Sequence, residues 1–446
     1  MTIQASNAAI DQGSPRASSL GHLGARSMIH DPVEGALKLN LVRARGSLVW
    51  DDTGREYIDC TSQAWCNNLG ANDPRVMAAA IAQIEQVAHV RPTYHTPVLL
   101  ELNAKLREIS PGDLNRVGYS LHGSTAGESA MKLALRNRPD RRHILVLEDA
   151  YHGRTITTMA ASWPHTGDPF AAVQSQFVRV PHPNPYRPRL GMSPEQEGEL
   201  CLELLEATIT RGVAGGVAAV MMEPIQGNGG HIEFPQNYYE GVRELCDRHD
   251  ILLIWDEVQT GFGRTGEMFA ADHYGVTPDI IIFGKGIGGG FPLAGILASE
   301  RLDGFLVGDD QLTFGQFPPS LAAGLATVQA IEDDGLCARA TEHGAHATRR
   351  LLEMAERHPL IGDVRCPGLM VGIELVTDRA TKVPATEELQ EVLLLAEERG
   401  VLFGESRYGS LGNFLKVKPP LDISTELLDR ALDVLDEALT IVEMRR

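Results

Sequence analysis

The stretch from Ile251 to Pro292 constrains the fold more than any other part of the chain. It contains two short apolar runs, Ile251–Trp255 and Ile280–Phe283, each bounded by residues that break regular structure. Unbroken apolar runs of this length are typical of strands buried on both faces of a parallel sheet. Asp256 follows the first run, and Lys285 follows the second within a glycine-rich turn. Because ligands of open α/β sheets bind outside the carboxyl ends of the strands, these two side chains are candidates for a binding site.

Similar runs occur elsewhere and alternate with helical patterns. The further apolar runs are Ile144–Leu147, Val217–Met222 and Ala294–Ala298, and helices are predicted to start near Thr125, Glu195, Tyr238 and Pro319. This alternation predicts a largely parallel sheet with helices on both sides. Residues 47–60 alternate around the turn Asp51–Gly54, which predicts a β-hairpin. The last hundred residues predict helices over 342–357, over 387–399 and after Ser424, with a strand over 369–375.

Composition narrows the class of protein. A chain of 446 residues divides into more than one domain as a rule, and a net charge of -19 disfavours nucleic acid as a partner. No apolar run approaches the roughly 20 residues that span a bilayer, and the N-terminus lacks the pattern of a secretory signal. The six cysteines include no C-x-x-C pair, so we expect neither a metal site nor a disulfide framework. These features predict a cytoplasmic protein that is not bound to a membrane and holds no metal ion.

An acid and a lysine at neighbouring strand ends suit a cofactor that has a basic ring nitrogen and a reactive aldehyde, which describes pyridoxal 5'-phosphate (PLP). Asp256 would keep the ring nitrogen protonated, so that the ring absorbs the electrons of a substrate carbanion. Lys285 would form a Schiff base with the aldehyde and move the proton between carbon atoms, since lysine pKa values fall readily on burial. The alternative for Lys285 is an ordinary solvated loop lysine.

Three further stretches are candidates for the same site. His122–Glu128 precedes a helical run, and its glycines and helix N-terminus suit a phosphate group, although a simple capped helix start also fits. Tyr151 and His152 follow a strand. An aromatic ring at such a place either stacks on a flat heterocycle or packs at the rim of the site. Arg154 suits a substrate carboxylate. Glu223 ends the run Val217–Met222 and is either functional or an anchor for its loop.

A nucleotide-binding oxidoreductase is the distant alternative. The glycines from Gly284 to Gly289 formally match the dinucleotide fingerprint, but that fingerprint needs the glycines to open a helix. Pro292 follows almost at once and no helical pattern begins there. The run does not fit a phosphate-binding P-loop either, because Gly286 stands where serine or threonine is needed.

Several pieces of the chain match a known family in a fixed order. They are YIDCTSQAWCNNLG, HGSTAGES, YHGRT, EPIQGNGG, WDEVQTGFGRTG, PDIIIFGKGIGGGFPLAG, TFGQFP, IGDVRCPGLMVGIEL and FLKVKPPL. Together they resemble the class III, ω-transaminase-like, aminotransferases of PLP fold type I over roughly residues 35–440. The resemblance implies these cofactor contacts: Lys285 to the aldehyde, Asp256 to the pyridine nitrogen, Gln259 near the ring hydroxyl, Tyr151 and His152 at the ring, Glu223 of the EPIQG motif, Gly123 and Ser124 at the phosphate, and Thr313 at the phosphate of a neighbouring subunit.

The resemblance also implies an architecture and an assembly. We expect a large α/β domain with a mostly parallel seven-stranded sheet and a small α/β domain. The expected boundaries are a flexible arm over 1–34, the first part of the small domain over 35–73, the large PLP-binding domain over 74–335 and the rest of the small domain over 336–446. Thr313 implies a homodimer with shared active sites, and a tetramer stays open.

The chain departs from the family pattern where substrates bind. Lys416 stands where the family usually has the arginine of R-I-x-P-P-L, which in many members grips the substrate carboxylate and swings aside to pair with a glutamate. Asn228 stands where that glutamate is expected. Lysine lacks the planar grip of arginine, so we expect a substrate handled by Arg154 or Lys416 as a point charge, or an uncharged amine. Trp65 and Tyr94 lie in segments that line the substrate entrance in relatives, and both also fit packing roles.

The resemblance implies amino transfer from a primary amine or amino acid to a 2-oxo acid, with a pyruvate-like acceptor favoured. Relatives on the same scaffold epimerise amino acids or decarboxylate dialkylglycines with the same lysine and aspartate, so these reactions are the alternatives. Residue types do not report which bond to Cα lies perpendicular to the ring, and this geometry decides between them.

Overall fold

The apolar runs around Asp256 and Lys285 become central strands of a seven-stranded sheet. In the computed structural model, residues 39–162, 176–406 and 411–446 are described. Met1–Asn40 form a separate unit of which only residues 39 and 40 are described, so the expected arm over 1–34 lies outside the described residues. The second unit, Leu41–Arg446, contains both large sheets.

The strands of the described ranges, in chain order, are β1 Leu41–Arg45, β2 Leu48–Asp51, β3 Glu56–Cys60, β4 Arg116–Ser120, β5 His143–Leu147, β6 Phe177–Val180, β7 Val217–Met222, β8 Ile225–Gln226, β9 Ile232–Glu233, β10 Leu252–Asp256, β11 Ile280–Phe283, β12 Ala294–Ala298, β13 Ile361–Arg365, β14 Val371–Asp378, β15 Val383–Pro384, β16 Val401–Ser406 and β17 Phe414–Val417. The α-helices of these ranges are Pro74–Gln86, Pro97–Ile109, Gly123–Asn137, Ile156–Ala161, Pro194–Ala207, Gly227–Gly230, Gln236–Arg248, Ala270–Tyr274, Pro318–Asp333, Leu336–Arg357, Thr386–Glu398 and Thr425–Met444.

The seven-stranded sheet has the order β4-β12-β11-β10-β7-β5-β6. Strand β12 is antiparallel to both of its neighbours, and the other strands run in one direction. Side chains of β10 alternate between two hydrophobic clusters: Leu252 and Ile254 face one, while Leu253 and Trp255 face the other. The sheet is therefore buried on both faces, as the unbroken apolar runs predict. The expected PLP fold type I architecture, with a mostly parallel seven-stranded sheet, is confirmed.

A second sheet joins the two ends of the chain. Its order is β1-β2-β3-β16-β17-β14-β13, with β15 paired to β14. The parallel pair β3–β16 connects the N-terminal hairpin to the C-terminal strands, and β17 carries Lys416 between β16 and β14. The predicted hairpin over 47–60 is confirmed by the antiparallel pair β2–β3, in which Leu48 lies opposite Ile58. The domain boundaries at 73/74 and 335/336 stay predictions.

Most predicted elements lie within a few residues of the observed ones. The runs that became β7, β11 and β12 match the observed strands at both ends, and the strand over 369–375 is observed as Val371–Asp378. Edge strands β4 and β6 were not predicted, because short segments with arginine in them lack an unbroken apolar run. In the described part of the chain, no helix is long and apolar enough to cross a membrane.

We expect the buried middle of β10 to carry much of the stability of the large sheet. Leu253→Ala removes a side chain that has no solvent exposure and should lower the free energy of unfolding by roughly 2–5 kcal/mol. Leu352→Ala is the matched control, because that helical side chain is 54% exposed and its loss should change stability by less than about 0.5 kcal/mol. Equilibrium urea unfolding with saturating cofactor measures both. Equal effects of the two substitutions would contradict the assigned core.

Candidate active site

A cavity of about 270 Å³ lies beside the turn that follows β11. Its walls include all of the candidate cofactor residues except Thr313. The candidates that line it are Gly123, Ser124, Tyr151, His152, Glu223, Asp256, Gln259 and Lys285. The residues that the sequence pattern singled out for a cofactor therefore meet in one place.

Three adjacent parallel strands bring the charged residues together. Strand β10 pairs with β7 on one side and β11 on the other. Glu223 follows β7, Asp256 ends β10 and Lys285 follows β11 by two residues. Since the strands point the same way, their carboxyl ends place two carboxylates and an amine on the same cavity wall.

Asp256 is held by a buried histidine. The Nδ1 atom of His152 lies 2.9 Å from Oδ2 of Asp256, and the backbone N–H of Val258 donates to Oδ1 at 3.2 Å. A carboxylate accepts hydrogen bonds, so Nδ1 carries the proton that joins the pair. The Nε2 atom of His152 has no hydrogen-bond partner among the described residues. The pair fixes both side chains and leaves Asp256 inside the cavity wall with 7% exposure.

Lys285 begins a single 3₁₀ turn, Lys285–Gly288, rather than the helix that a dinucleotide fingerprint requires. Its φ of 47° lies in the left-handed region, which costs a non-glycine residue about 1–2 kcal/mol. Gly286 permits this turn, because a Cβ atom there would lie 2.4 Å from Nδ2 of Asn68. Burial lowers the pKa of the Lys285 ammonium, and the negative charge of Asp256 opposes that shift. The amine is therefore easier to deprotonate than a surface lysine.

Glu223 anchors the loops around the cavity. Its carboxylate accepts hydrogen bonds from the backbone N–H groups of Tyr151 at 2.9 Å and Gly227 at 3.0 Å. Burial raises the pKa of Glu223 to about 7, and the neighbouring His152 opposes that shift. These contacts fit the anchoring role that the sequence analysis gave as one of two alternatives, and they also fix Tyr151 at the cavity wall.

The helix Gly123–Asn137 points its N-terminus at the cavity. Its first backbone N–H groups and the positive end of its dipole suit an anion. The Oγ atom of Ser124 accepts a hydrogen bond from the backbone N–H of Arg154 at 2.9 Å. The side chain of His122 caps the helix through Nδ1, which accepts from the N–H of Thr125 at 3.4 Å. The helix start is thus both capped and exposed to the cavity.

The predicted substrate residues lie around this cavity rather than on its wall. Lys416 is 2% exposed, and its Nζ donates to Oδ1 of Asn228 at 3.1 Å. Trp65 is 4% exposed and packs against the Lys418 ammonium, which lies 4.5 Å from the ring centroid. Arg154 is exposed, with its guanidinium carbon 4.9 Å from the ring centroid of Tyr151. Thr313 and Tyr94 are exposed outside the cavity.

Sequence reasoning missed several residues that line the cavity: Cys66, Leu121, Val258, Phe291, Pro292 and Leu293. Phe291, Pro292 and Leu293 follow the glycine run, so the same motif contained a usable signal. Cys66 is distant in sequence from the other residues of the site, because it ends a left-handed turn from Ser62 to Trp65 that precedes the large sheet by many residues. Only the folding of the chain brings it to the cavity wall. Within the described ranges, no group of three or more His, Cys, Asp or Glu side chains is arranged to hold a metal ion.

The sequence profile described as aminotransferase class III matches residues 29–439 of this chain. The chain belongs to the class III aminotransferase family. It is 38% identical to a leucine/methionine racemase of Thermococcus litoralis over 91% of each chain. It is 35% identical to an acetylornithine aminotransferase of Methanothermobacter thermautotrophicus over 90% of this chain and 93% of that one.

The solved structure of a taurine:2-oxoglutarate aminotransferase from Bifidobacterium kashiwanohense, in complex with PLP and glutamate, is also similar. It has a TM-score of 0.87 and 29% sequence identity, and the match covers 96% of this chain and 98% of that one. The enzyme is a PLP-dependent aminotransferase of class III.

The residues of this cavity fit PLP. A buried amine stands close enough to a buried carboxylate for their charges to interact, and a helix N-terminus opens onto the same space. The Oε1 atom of Gln259, which is 9% exposed, has no hydrogen-bond partner among the described residues. An unpartnered buried oxygen on the cavity wall suits a polar ligand.

We predict that His152 positions Asp256. His152→Phe should remove a hydrogen bond to a charged group, which stabilises by about 1.5–3 kcal/mol, and lower kcat/KM roughly 10- to 150-fold. His152→Asn keeps a donor in a similar place and should recover much of that loss. Steady-state kinetics, together with the absorbance spectrum of the bound cofactor, measure the effect. An unchanged spectrum and rate in His152→Phe would show that the pair has no such role.

Proposed function

We propose that the enzyme transfers the amino group of an amino acid with an uncharged side chain to a small 2-oxo acid such as pyruvate. The observation that carries this proposal is the hydrogen bond between Lys416 and Asn228. In the family pattern, an arginine and a glutamate stand at these positions and act as a gate. The arginine binds the substrate carboxylate, and it swings aside to pair with the glutamate when a bulky amine binds instead. Here neither partner of that gate is present.

The loss of the gate limits the substrates. An enzyme that alternates between an amine without a carboxylate and an amino acid needs a cation that grips the α-carboxylate in one half-reaction and moves away in the other. Lys416 is buried and hydrogen-bonded to an amide that carries no charge, so it offers a point charge without a bidentate grip. A substrate pair with one carboxylate on each partner, such as a neutral amino acid and pyruvate, needs no such movement.

We propose that Lys285, Asp256, Tyr151, Gly123 and Ser124 hold the cofactor. PLP, when bound, supplies an electron sink for the electron pair left at the substrate Cα. The Nζ atom of Lys285 takes the proton from that carbon, which its lowered pKa favours because more of the amine is neutral near pH 7. Asp256, fixed by His152, supplies the negative charge that would face the ring nitrogen.

Glu223 keeps the site closed around the reacting atoms by fixing the backbone of Tyr151 and Gly227. The site also lies among apolar walls, with Val258, Phe291 and Leu293 on its lining. Exclusion of water strengthens the charge interactions among Lys285, Asp256 and Glu223. Arg154, at the outer side of Tyr151, is the second candidate for the substrate carboxylate.

We further propose a cytoplasmic homodimer in which Thr313 reaches the cofactor phosphate of the partner. Thr313 is exposed and lies in a segment with three exposed apolar side chains. Leu306 is 62% exposed, Val307 94% and Phe314 48%. Apolar side chains exposed together in this way favour burial against another protein surface.

Racemisation of a neutral amino acid is the second candidate function. The relative from Thermococcus litoralis, described as a leucine/methionine racemase, is 38% identical to this chain. A racemase handles a single substrate in two mirror forms, so a gate between unlike substrates has no use in it. The missing arginine and glutamate therefore favour this reaction as well. Racemisation differs from amino transfer only in that Lys285, or a group opposite it, returns the proton to Cα.

The two functions are separated by following one reaction in deuterated water. With leucine as donor, the aminotransferase proposal predicts that alanine forms from pyruvate in amounts equal to the 2-oxo acid produced, and that 2-oxoglutarate reacts roughly 5- to 150-fold more slowly, since a missing charge contact costs about 1–3 kcal/mol. Deuterium at Cα without 2-oxo acid formation would establish racemisation instead. Turnover that is fastest with 2-oxoglutarate would overturn the proposed substrate class.

A further inference from the structure

The turn that carries Lys285 is in contact with an asparagine from the N-terminal part of the chain. Asn68 follows β3 and is 2% exposed. A Cβ atom added to Gly286 would lie 2.4 Å from Nδ2 and 2.8 Å from Cγ of Asn68. Both distances are shorter than van der Waals contact allows, so only glycine fits beside this amide. The residue next to Lys285 therefore packs directly against Asn68.

The amide of Asn68 has one fixed orientation, because both of its ends are hydrogen-bonded. The Nδ2 atom donates to the carbonyl oxygen of Phe262 at 2.8 Å, and Oδ1 accepts from the guanidinium of Arg264 at 2.9 Å. The backbone is held as well, since the carbonyl oxygen of Asn68 accepts from the N–H of Leu421 at 2.8 Å. Rotation of the amide by half a turn would place its NH2 group against the donors of Arg264 and lose both side-chain hydrogen bonds. The side chain cannot move away from Gly286 without that loss.

Arg264 holds this amide from a fully buried position. Besides Asn68, its guanidinium donates to the carbonyl oxygens of Leu369 at 3.1 Å and Pro419 at 2.7 Å. All three acceptors are uncharged oxygen atoms, so the fixed planar geometry of the arginine donors determines the arrangement. Leu369 precedes β14 and Pro419 follows β17. Arg264 thus connects the loop after β10 with two segments of the second sheet, beside the turn of Lys285.

The turn of Lys285 has weak hydrogen bonds of its own. The N–H of Ile287 lies 3.4 Å from the carbonyl oxygen of Gly284, and the N–H of Gly289 lies 3.4 Å from that of Gly286, measured from the nitrogen atoms. Typical bonds of this kind are about 2.9–3.0 Å long. Lys285 also has a left-handed φ of 47°, which is unfavourable for a residue with a side chain. The turn therefore depends on contacts from outside to keep its shape.

We propose that Asn68, held by Arg264, is a positioning residue that keeps Lys285 in the conformation in which its amine faces the cavity. The proposal rests on the proposed role of Lys285 as the lysine that carries the cofactor. Asn68 acts through Gly286, and it needs no contact with the cofactor or the substrate. When the contact is lost, the turn relaxes for part of the time, and the amine reacts with the cofactor aldehyde only in the fraction of molecules that keep the correct conformation.

A double-mutant cycle on the full-length protein tests this contact. PLP is added to protein from which the cofactor has been removed, and the reaction is stopped at intervals with borohydride. Mass spectrometry of the peptide that contains Lys285 then gives the rate at which this amine is labelled. All rates are measured well below the thermal unfolding temperature of the least stable variant, so that a loss of stability alone leaves them unchanged.

The single and double variants have distinct expected rates. Gly286→Ala should slow the labelling of Lys285 roughly 5- to 150-fold, because the new methyl group displaces the turn from the fixed amide. Asn68→Ala should slow it roughly 3- to 30-fold, because the turn loses its support. In the Asn68→Ala background, adding Gly286→Ala should slow it by less than about threefold more, because the space is then free. Equal factors for Gly286→Ala in both backgrounds, or a wild-type rate in Asn68→Ala, would overturn the proposal.

A glycine of the same turn supplies the matched control. A Cβ atom at Gly288 would meet only Leu293, at the ordinary contact distance of 3.7 Å. Gly288→Ala should therefore label Lys285 at about the wild-type rate. If Gly286→Ala protein does not fold, as judged by thermal unfolding, the double variant decides the question. We then expect Asn68→Ala to restore a folded protein, and an unfolded double variant would contradict the contact.

The role of Arg264 is tested separately. Arg264→Lys keeps the positive charge but cannot reach three acceptors at once, so the amide of Asn68 becomes free to move. In this background Gly286→Ala should slow the labelling of Lys285 by a smaller factor than it does in the wild type. An equal factor would show that Arg264 does not hold the amide.

The same measurement separates this inference from the proposed function. A wild type that is labelled at a lysine other than Lys285 would contradict the proposed role of that residue and the inference together. A wild type labelled at Lys285, with equal factors around the cycle, would contradict the inference alone and leave the proposed function intact.

Discussion

The removal of Lys285 from water is the constraint on which the rest of the site depends. Strand β11 is buried on both faces, and the turn that follows it holds Lys285 in a left-handed conformation within the cavity wall. Burial lowers the pKa of its amine even though Asp256 attracts the charged form. The large sheet must therefore keep a strained lysine out of water and beside two carboxylates, and its extensive apolar core offsets that cost.

The other polar groups of the site are held by specific contacts rather than by solvent. Asp256 is fixed by His152, and Glu223 by two backbone N–H groups from separate loops. Buried polar groups without such contacts destabilise a fold, so their satisfaction allows three charged side chains to share one small cavity. The second sheet contributes Lys416 from β17, whose Nζ atom is hydrogen-bonded to Asn228, next to the Gly227 backbone that Glu223 holds.

Central strands and strand-end residues were predictable, whereas contacts across the chain were not. Val217–Met222 and Ile280–Phe283 were bounded correctly because both faces of these strands are apolar. Lys285 was found from the end of the second of them, and Asp256 from the end of the run Ile251–Trp255, which is observed as Leu252–Asp256. The edge strands β4 and β6 carry too few consecutive apolar residues to be recognised. The group formed by Lys418, His231 and Trp65 was missed, because three segments distant in sequence meet there and no local pattern encodes the contact.

The central claim is that Lys285 alone among the lysines carries the cofactor. Reduction of the holoenzyme with borohydride, followed by digestion and mass spectrometry, locates the amine that was joined to the cofactor aldehyde. The account predicts a pyridoxyl label on the peptide that contains Lys285, and Lys285→Ala protein with excess cofactor that takes no stoichiometric label and has lost nearly all turnover. A label on another lysine of the wild type, or wild-type turnover by Lys285→Ala, would contradict it.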